Sequence, residues 1–219
     1  MTVEVKICGV QTPVILEAAI SAGAEFVGFV FFPKSPRNLT VPDAVDLAGA
    51  VGRRARTVAV VVDPDDDLVD RIVANVRPDV LQLHGAETPE RVGAIKTRAG
   101  LTVFKAVPVS DAWEVAAAER YSAVADRILF DTKAPPGSEL PGGNGLSFDW
   151  AILEVAAAPF ALSGGLDADN VAEAIRQSGA ALVDVSSGVE TAPGEKDSVL
   201  INQFVHAVRE AAPKQKKAS

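Results

Sequence analysis

The sequence predicts a single closed (β/α)8 barrel, an α/β fold, from three observations. Short runs of β-branched and aliphatic residues recur along the chain, helical patterns lie between most of them, and no change in composition marks a second domain. Strands that alternate with helices are typical of parallel sheets joined by right-handed crossovers. The eight strand-like runs lie at 3–7, 26–31, 57–62, 80–83, 102–107, 127–130, 160–162 and 182–185.

The segments between these runs carry helix start and stop signals. The first, 12–23, has apolar residues at helical spacing and ends at Gly23, a residue type that commonly terminates helices. Several others open with Thr, Asp or Pro, which favour the first turn. They span 42–52, 66–76, 88–100, 111–121, 167–179 and 197–212. An open, doubly wound sheet is the alternative, but CGVQTP after the first run lacks the G-x-G-x-x-G pattern usual there.

The size and charge of the chain limit its function. Its 219 residues suit a compact barrel, so we assign 1–212 to one catalytic domain and 213–219 to a flexible tail. A net charge of −8 disfavours a general affinity for nucleic acid or anionic membranes. The apolar runs are far shorter than a membrane span and no signal peptide is visible, so we expect a cytoplasmic protein.

Two polar residues stand at predicted strand ends, where barrel enzymes place their chemistry. They are Cys8, the single cysteine, and Asp131. A perturbed thiol can act as a base, and a desolvated carboxylic acid can act as an acid, so the pair fits proton transfer on a sugar. The alternatives are a small buried hydrophobe for Cys8 and a helix N-cap or loop anchor for Asp131.

Glycine-containing loops follow the seventh and eighth strand-like runs, as LSGGL and DVSSGVE. Small residues let backbone N–H groups approach an anion, and this pair of loops often forms a phosphate site in barrels. The predicted donors are Gly164, Gly165, Ser187 and Gly188. The alternative is that these are ordinary turn residues.

Metal chemistry is disfavoured. The chain has two histidines: His206 falls on the last predicted helix, and His84 has no second histidine at another strand end. We expect His84 to line the site through hydrogen bonds rather than bind a metal. A single cysteine also excludes an internal disulfide framework and a cysteine-based zinc site.

Strand alternation predicts an ion pair inside the barrel. Residues two apart on a strand share a face, so Lys6 points inward beneath Cys8, and Asp184 points inward on the last strand, which closes onto the first. We therefore predict a Lys6–Asp184 pair, with Lys6 also favouring the Cys8 thiolate. The alternative is that Lys6 extends to one end of the barrel.

Six sequence blocks together resemble phosphoribosylanthranilate isomerase of tryptophan biosynthesis. They are KICG, GFVFFPKSPR, VLQLHG, ILFDTK…PGGNGLSFDW, LSGGL followed by DNV, and DVSSGVE…PGEKD, spread over residues 5 to 205. Each block is modest alone, but the ordered set is highly specific.

The resemblance implies a barrel without a cofactor that catalyses the Amadori rearrangement of N-(5-phosphoribosyl)anthranilate to the carboxyphenylamino-deoxyribulose phosphate. By analogy Asp131 protonates the ribose ring oxygen, and Cys8 removes the proton from the sugar C2. Arg37 matches the position that engages the anthranilate carboxylate, for which a guanidinium fork is suited. Gln82 and His84 are expected to line the site, and the Pro- and Gly-rich segment 133–146 to be a mobile cover over the substrate.

Rival interpretations predict other residues. A metal-dependent epimerase needs metal ligands, a barrel isomerase of histidine biosynthesis would have aspartate in place of Cys8, and indole-glycerol-phosphate synthase would need a longer N-terminal extension and a catalytic lysine set. A non-catalytic phosphate-ligand binding protein would have no use for Cys8 together with Asp131. We expect a small phosphosugar–anthranilate substrate and favour a monomer over a homodimer.

Overall fold

A computed structural model describes residues 2–133, 137–138, 142–143, 145 and 147–211. Eight parallel strands form a closed barrel in the order β1 to β8, with β8 returning to pair with β1. The predicted fold class is confirmed. The tail at 213–219 and most of the segment 133–146 lie outside the described residues.

Each helix lies between consecutive strands or after the last one. The barrel strands are β1 Glu4–Cys8, β2 Phe26–Phe31, β3 Arg56–Val61, β4 Val80–Leu83, β5 Thr102–Val109, β6 Arg127–Thr132, β7 Ala161–Leu162 and β8 Leu182–Val185. The α-helices are α1 Pro13–Ala22, α2 Val41–Val51, α3 Asp66–Arg71, α4 Pro89–Ala99, α5 Ala112–Ala117, α6 Val171–Ser178 and α7 Ser198–Glu210. After β8, the short strands β9 (Glu190–Ala192) and β10 (Glu195–Lys196) form an antiparallel hairpin.

Capping residues explain where the helices begin and end. The Thr12 and Thr88 side chains accept hydrogen bonds from the first turns of α1 and α4, and each helix has a proline in that turn. Such caps satisfy backbone N–H groups that have no partner within the helix. Gly23 and Gly100 end the same helices in the left-handed conformation, with φ of 97° and 63°.

Several elements depart from the predicted bounds. Segment 66–76 is helical, but its second half is a π-turn at Ile72–Val76, and α5 passes into a 3-10 turn at Ala118–Tyr121. Helix α6 begins at Val171 because Asp167 and Asn170 form a side-chain-stabilised turn before it. A 3-10 helix at Trp150–Val155 precedes β7, where no helix is predicted.

The barrel interior is a distinct apolar cluster, separate from the core between strands and helices. It includes Phe26, Phe104, Leu129 and Leu182, and the two phenylalanine rings meet edge to face at 5.8 Å. Interdigitating inward side chains are the usual filling of such a barrel. Among the described helices, none has the length and apolar character needed to cross a membrane.

Candidate active site

A cavity opens at the C-terminal end of the barrel strands. Most of the residues predicted for the site line it: Cys8, Arg37, His84, Asp131, Gly164, Gly165, Asp184 and Ser187. The topology brings them together because all parallel strands end at this face of the barrel.

Cys8 is the last residue of β1, and its buried side chain lies beside a position of β2 that has no side chain. Gly28 pairs with it in the sheet, and a Cβ at Gly28 would lie 3.1 Å from the Cys8 Sγ and 3.2 Å from the Lys6 Cε. Glycine at this strand position therefore leaves room for the thiol and for the lysine beneath it. The interior glycine of FVGFVF was the sequence signal for this close approach, and our sequence interpretation missed it.

The predicted ion pair is present below the cavity. The Lys6 Nζ donates to both Asp184 carboxylate oxygens at 3.0 Å, and the two side chains are 0% and 4% exposed. Burial opposes the charge of Lys6, but the attraction of Asp184 and Cys8 outweighs it and raises the lysine pKa. For Asp184, burial is the larger effect and raises the pKa despite the neighbouring ammonium.

The same surroundings set the state of the thiol. Burial raises the pKa of Cys8, and the nearby Asp184 charge adds to that effect. Lys6 acts in the opposite direction, as the sequence interpretation expected, and Lys196 also favours the thiolate. The net result is a raised pKa, so Lys6 moderates the cost of charging the thiol without cancelling it.

Asp131 lies within β6 rather than at a helix N-cap. Its Oδ1 accepts the backbone N–H of Thr132 at 2.8 Å, and its Oδ2 lies 3.0 Å from the His84 Nε2. His84 is thus hydrogen-bonded and lines the cavity, as predicted. A Cβ at Gly142 would lie 2.5 Å from the Asp131 Oδ2, so this glycine permits close coverage of the carboxylate.

Two of the residues predicted for the site, Gln82 and Gly188, are not among those that line the cavity. Gln82 is fully buried on β4 and is absent from the cavity wall, with its Nε2 3.1 Å from the His84 Nδ1. Gly188 is also absent from the wall. A Cβ on it would lie 1.9 Å from the Leu166 carbonyl oxygen, so its small size serves the contact between the two glycine loops.

Arg37 is buried and its guanidinium is already paired. Its Nε and Nη2 each donate to the Glu190 carboxylate at 2.7 Å. The Nη1 faces the loop above it, since a Cβ at Gly143 would lie 2.8 Å from that nitrogen. The arginine is therefore fixed in direction and presents one edge to the cavity.

The β9–β10 hairpin contributes two charged residues that our sequence interpretation missed. Lys196 donates to Glu190 at 2.8 Å and to the Ser186 carbonyl at 3.2 Å, and the Ser186 hydroxyl donates to the Cys8 carbonyl at 3.1 Å. Burial opposes the charge of Glu190, but Arg37 and Lys196 outweigh it and lower the Glu190 pKa. The sequence signal for this hairpin was the Pro-Gly pair at 193–194, a turn signal with charged residues on both sides.

The described residues contain no group of three or more His, Cys, Asp or Glu side chains placed to hold a metal ion. His206 lies on α7 with its side chain 73% exposed, and Glu210 of the same helix is 3.3 Å away. The candidate site therefore combines a thiol, a carboxylate, an imidazole, a fixed guanidinium and two loops of small residues.

Comparison with known proteins identifies the family. The family model for N-(5'-phosphoribosyl)anthranilate isomerase matches residues 5–207. The chain belongs to the phosphoribosylanthranilate isomerase family. N-(5'-phosphoribosyl)anthranilate isomerases of Brucella canis and Brucella suis are each 54% identical to it over 213 residues, covering 96% of this chain and 96% of theirs.

Solved structures agree with this membership. The phosphoribosylanthranilate isomerase of Thermotoga maritima has 34% identity and a TM-score of 0.84, covering 94% of this chain and 98% of its own. The enzyme of Thermus thermophilus has 28% identity and a TM-score of 0.82, with the same coverage. A further isomerase structure, with 33% identity, a TM-score of 0.81 and the same coverage, contains reduced 1-(o-carboxyphenylamino)-1-deoxyribulose 5-phosphate.

The resemblance seen in the sequence is confirmed, and so is the activity it implied. As a phosphoribosylanthranilate isomerase, the chain is an aldose–ketose isomerase of tryptophan biosynthesis that performs the Amadori rearrangement.

Proposed function

We propose that this isomerase uses Cys8 as general base and Asp131 as general acid. The observation that carries the proposal is that both side chains line one cavity, from β1 and β6, which are separated in the barrel by β7 and β8. In that arrangement a sugar bound across the mouth meets the acid on one side and the base on the other. A binding protein on the same fold would need neither group.

The proposed reaction begins with two proton transfers made by the enzyme. Asp131 gives its proton to the ribose ring oxygen as the C1–O bond breaks, which opens the ring to a protonated imine. Cys8 then takes the proton from C2, and the electron pair of that C–H bond forms the enolamine. The enolamine tautomerises to the ketone as C1 gains one proton and the C2 hydroxyl loses one, so no atom is gained or lost overall. None of these proton transfers requires a cofactor.

Burial of Cys8 makes its thiolate a stronger base once formed, because the raised pKa reflects a poorly solvated anion. Lys6 and Lys196 limit that effect by their charge. We propose that Lys6, supported by Asp184, keeps the thiolate accessible in a site that is otherwise unfavourable to it.

Arg37 is proposed to receive the anthranilate carboxylate. Its Nη1 edge faces the cavity while Glu190 occupies the opposite edge. A planar guanidinium that is already oriented loses little freedom when an anion binds. This division of the two edges supports the assignment that the resemblance implied.

The two glycine loops are proposed to bind the phosphate. Gly164 and Gly165 have φ of 91° and 61° and line the cavity together with Ser187. Successive backbone N–H groups in such loops form concavities that suit anions. Gly188 supports the site from behind by allowing the loops to touch.

The segment 133–146 is proposed to cover the bound substrate. Of its described residues, Gly142 and Gly143 line the cavity above Asp131 and Arg37. The proposals that the enzyme acts in the cytoplasm and without nucleic-acid partners rest on composition and charge. The proposal of a monomer rather than a homodimer rests on the family resemblance. Light scattering of the purified chain tests the monomer.

The test of the function is the loss of phosphoribosylanthranilate fluorescence when purified protein is added. We expect turnover by the wild type and a loss of about 100- to 10,000-fold in Cys8→Ala and Asp131→Asn. Circular dichroism checks that the variants remain folded. Full turnover by folded Cys8→Ala would remove the base assignment, and a wild type without turnover would leave only phosphate binding.

A further inference from the structure

Gln82 of β4, His84 directly after that strand and Asp131 of β6 form a hydrogen-bonded series that reaches the cavity wall. The Gln82 Nε2 lies 3.1 Å from the His84 Nδ1, and the His84 Nε2 lies 3.0 Å from the Asp131 Oδ2. In this orientation of the amide its nitrogen donates, so a neutral His84 ring accepts at Nδ1 and carries its proton on Nε2, where it donates to the Asp131 carboxylate.

The other end of the Gln82 amide is unsatisfied. Gln82 is fully buried, and its Oε1 has no hydrogen-bond partner among the residues that the structure describes. A buried acceptor without a partner is unfavourable and calls for an explanation. The oxygen and the NH2 group of an amide are close in size, so a half-turn about the last side-chain bond exchanges them without new space.

We propose that Gln82 is a positioning residue whose amide turns over to select the His84 tautomer, and thereby lets the His84–Asp131 hydrogen bond persist in both protonation states of Asp131. In the first state the Gln82 NH2 donates to Nδ1, and His84 Nε2–H donates to the carboxylate. In the second state the Oε1 accepts from Nδ1–H, and Nε2 accepts from the protonated Oδ2 of Asp131.

The two states differ by one proton. The proton on Nε2 passes to the Asp131 Oδ2, and Nδ1 takes one proton from solvent water as the amide turns. His84 is neutral in both states, and Asp131 changes from carboxylate to carboxylic acid. The His84 side chain lines the cavity and is 15% exposed, so part of the ring is open to solvent.

This inference rests on the proposed role of Asp131 as an acid, since an acid must exist in both forms during each cycle. The carboxylate has little room to change partners. Its Oδ1 accepts from Thr132 N at 2.8 Å, and Cβ atoms at Gly164 and Gly142 would lie 2.8 Å and 2.5 Å from its two oxygens. A carboxyl group fixed in place requires a neighbour that can accept as well as donate, and His84 with Gln82 meets that requirement.

The charged groups around the series come from the opposite side of the barrel. Asp184 on β8 interacts electrostatically with both Asp131 and His84, and Lys6 on β1 is paired with Asp184. Gln82 itself carries no charge, so its influence acts through the tautomer alone.

Nitrogen NMR of histidine-labelled, unliganded protein tests the proposal without using turnover. The chain has two histidines, so the ring signals are few, and the variant His206→Asn assigns them. Near neutral pH we expect His84 to be the Nε2–H tautomer in the wild type. In Gln82→Glu, which can only accept from Nδ1, we expect Nδ1 to be protonated. A wild-type His84 in the Nδ1–H form would overturn the inference.

Kinetics supply the second readout. Gln82→Met keeps the side-chain length but neither donates nor accepts, and we expect it to lower kcat by about 10- to 100-fold with little change in KM. Gln203→Met, at an exposed position on α7, is the matched control and should behave as wild type. Unchanged kcat in folded Gln82→Met would contradict the proposal. If Gln82→Glu does not fold, the wild-type tautomer and Gln82→Met still decide the question.

A failure of this inference is distinguishable from a failure of the proposed function. A wild type that turns over substrate while His84 has the Nδ1–H tautomer rejects only the inference. A wild type without turnover rejects the function of Asp131 as an acid, whatever tautomer the spectrum shows.

Discussion

Lys6 and Asp184 meet across the seam of the barrel, with the ammonium 3.0 Å from both carboxylate oxygens and their Cα positions in register between β1 and β8. The pair lies directly beneath the cavity and beside the proposed base. The pair therefore has two roles: it links β1 to β8, and it sets the charge around Cys8.

We expect removal of one partner to destabilise the fold. Lys6→Met leaves a buried carboxylate without its cation, which in other proteins costs about 3–5 kcal/mol of unfolding free energy. The double variant Lys6→Met with Asp184→Leu should recover much of that loss, because no buried charge remains. Urea unfolding measures both. A single variant as stable as the wild type would show that the pair is not needed for folding.

The Cys8 thiol should titrate above its ordinary range, because burial raises its pKa. Thiolate absorbance in the ultraviolet measures this directly, since the chain has one cysteine, and Cys8→Ser supplies the blank. Lys6→Met should move the midpoint further upward. If Cys8 is the base, kcat/KM of the wild type should rise with pH through the neutral range, since the thiolate is the minor form there. A thiolate already formed at neutral pH would contradict the burial argument.

Glu190 should affect substrate affinity through Arg37. Glu190→Gln removes the charge that orients the guanidinium, and we expect KM to rise about 10-fold, equivalent to one charge-assisted hydrogen bond of about 1.4 kcal/mol. Glu195→Gln on the same hairpin is exposed and is the control. Steady-state kinetics with phosphoribosylanthranilate measures both. A kcat effect without a KM effect would place Glu190 in the chemistry rather than in binding.

The same variant should change the acid stability of the fold. The Glu190 pKa is lowered in the folded state from an ordinary value of 4.5. Its contribution is therefore fully present above that value and is lost as pH falls through the lowered one. The wild type should be more stable than Glu190→Gln at neutral pH, and the difference should shrink on acidification. Thermal unfolding over that range gives the difference, which would stay constant if Glu190 were not paired.

Gly188→Ala should damage the phosphate site. The new Cβ would approach the Leu166 carbonyl oxygen within 1.9 Å, so the two glycine loops must separate. We expect weaker inhibition by inorganic phosphate and a raised KM. Gly49→Ala in α2 has no atom within 4 Å of the new Cβ and should leave both values unchanged, with a stability gain of about 1 kcal/mol from helix propensity. Equal phosphate affinity in Gly188→Ala and wild type would argue against the site.

The fold was predictable because it depends on periodicity, which the sequence carries in every unit. Cys8, Asp131 and the Lys6–Asp184 pair followed from strand ends and alternation alone. The β9–β10 hairpin did not, because strands of three and two residues are too short to show a period. Its Glu190 and Lys196 act through contacts with Arg37 and Ser186, which are distant in sequence.

The depth at which each side chain lies within the barrel also could not be predicted from the sequence. Alternation says that Gln82 and His84 face the same way, but it does not say which one reaches the cavity. The structure places His84 on the wall and Gln82 one layer below it. The end of α6 nearest the site was also misjudged, because Asn170 uses its side chain to contact the Gly165 carbonyl instead of extending the helix.

The closure of the barrel between β1 and β8 also has a consequence for synthesis of the protein on the ribosome. Lys6, Cys8 and Arg37 are translated well before their partners Asp184, Ser186 and Glu190. Until the final βα unit emerges, the early lysine and arginine lack the carboxylates that neutralise them in the finished enzyme. The nascent chain therefore cannot assemble a working catalytic centre piecemeal, and truncated products released before Asp184 would be left with an open barrel and no activity.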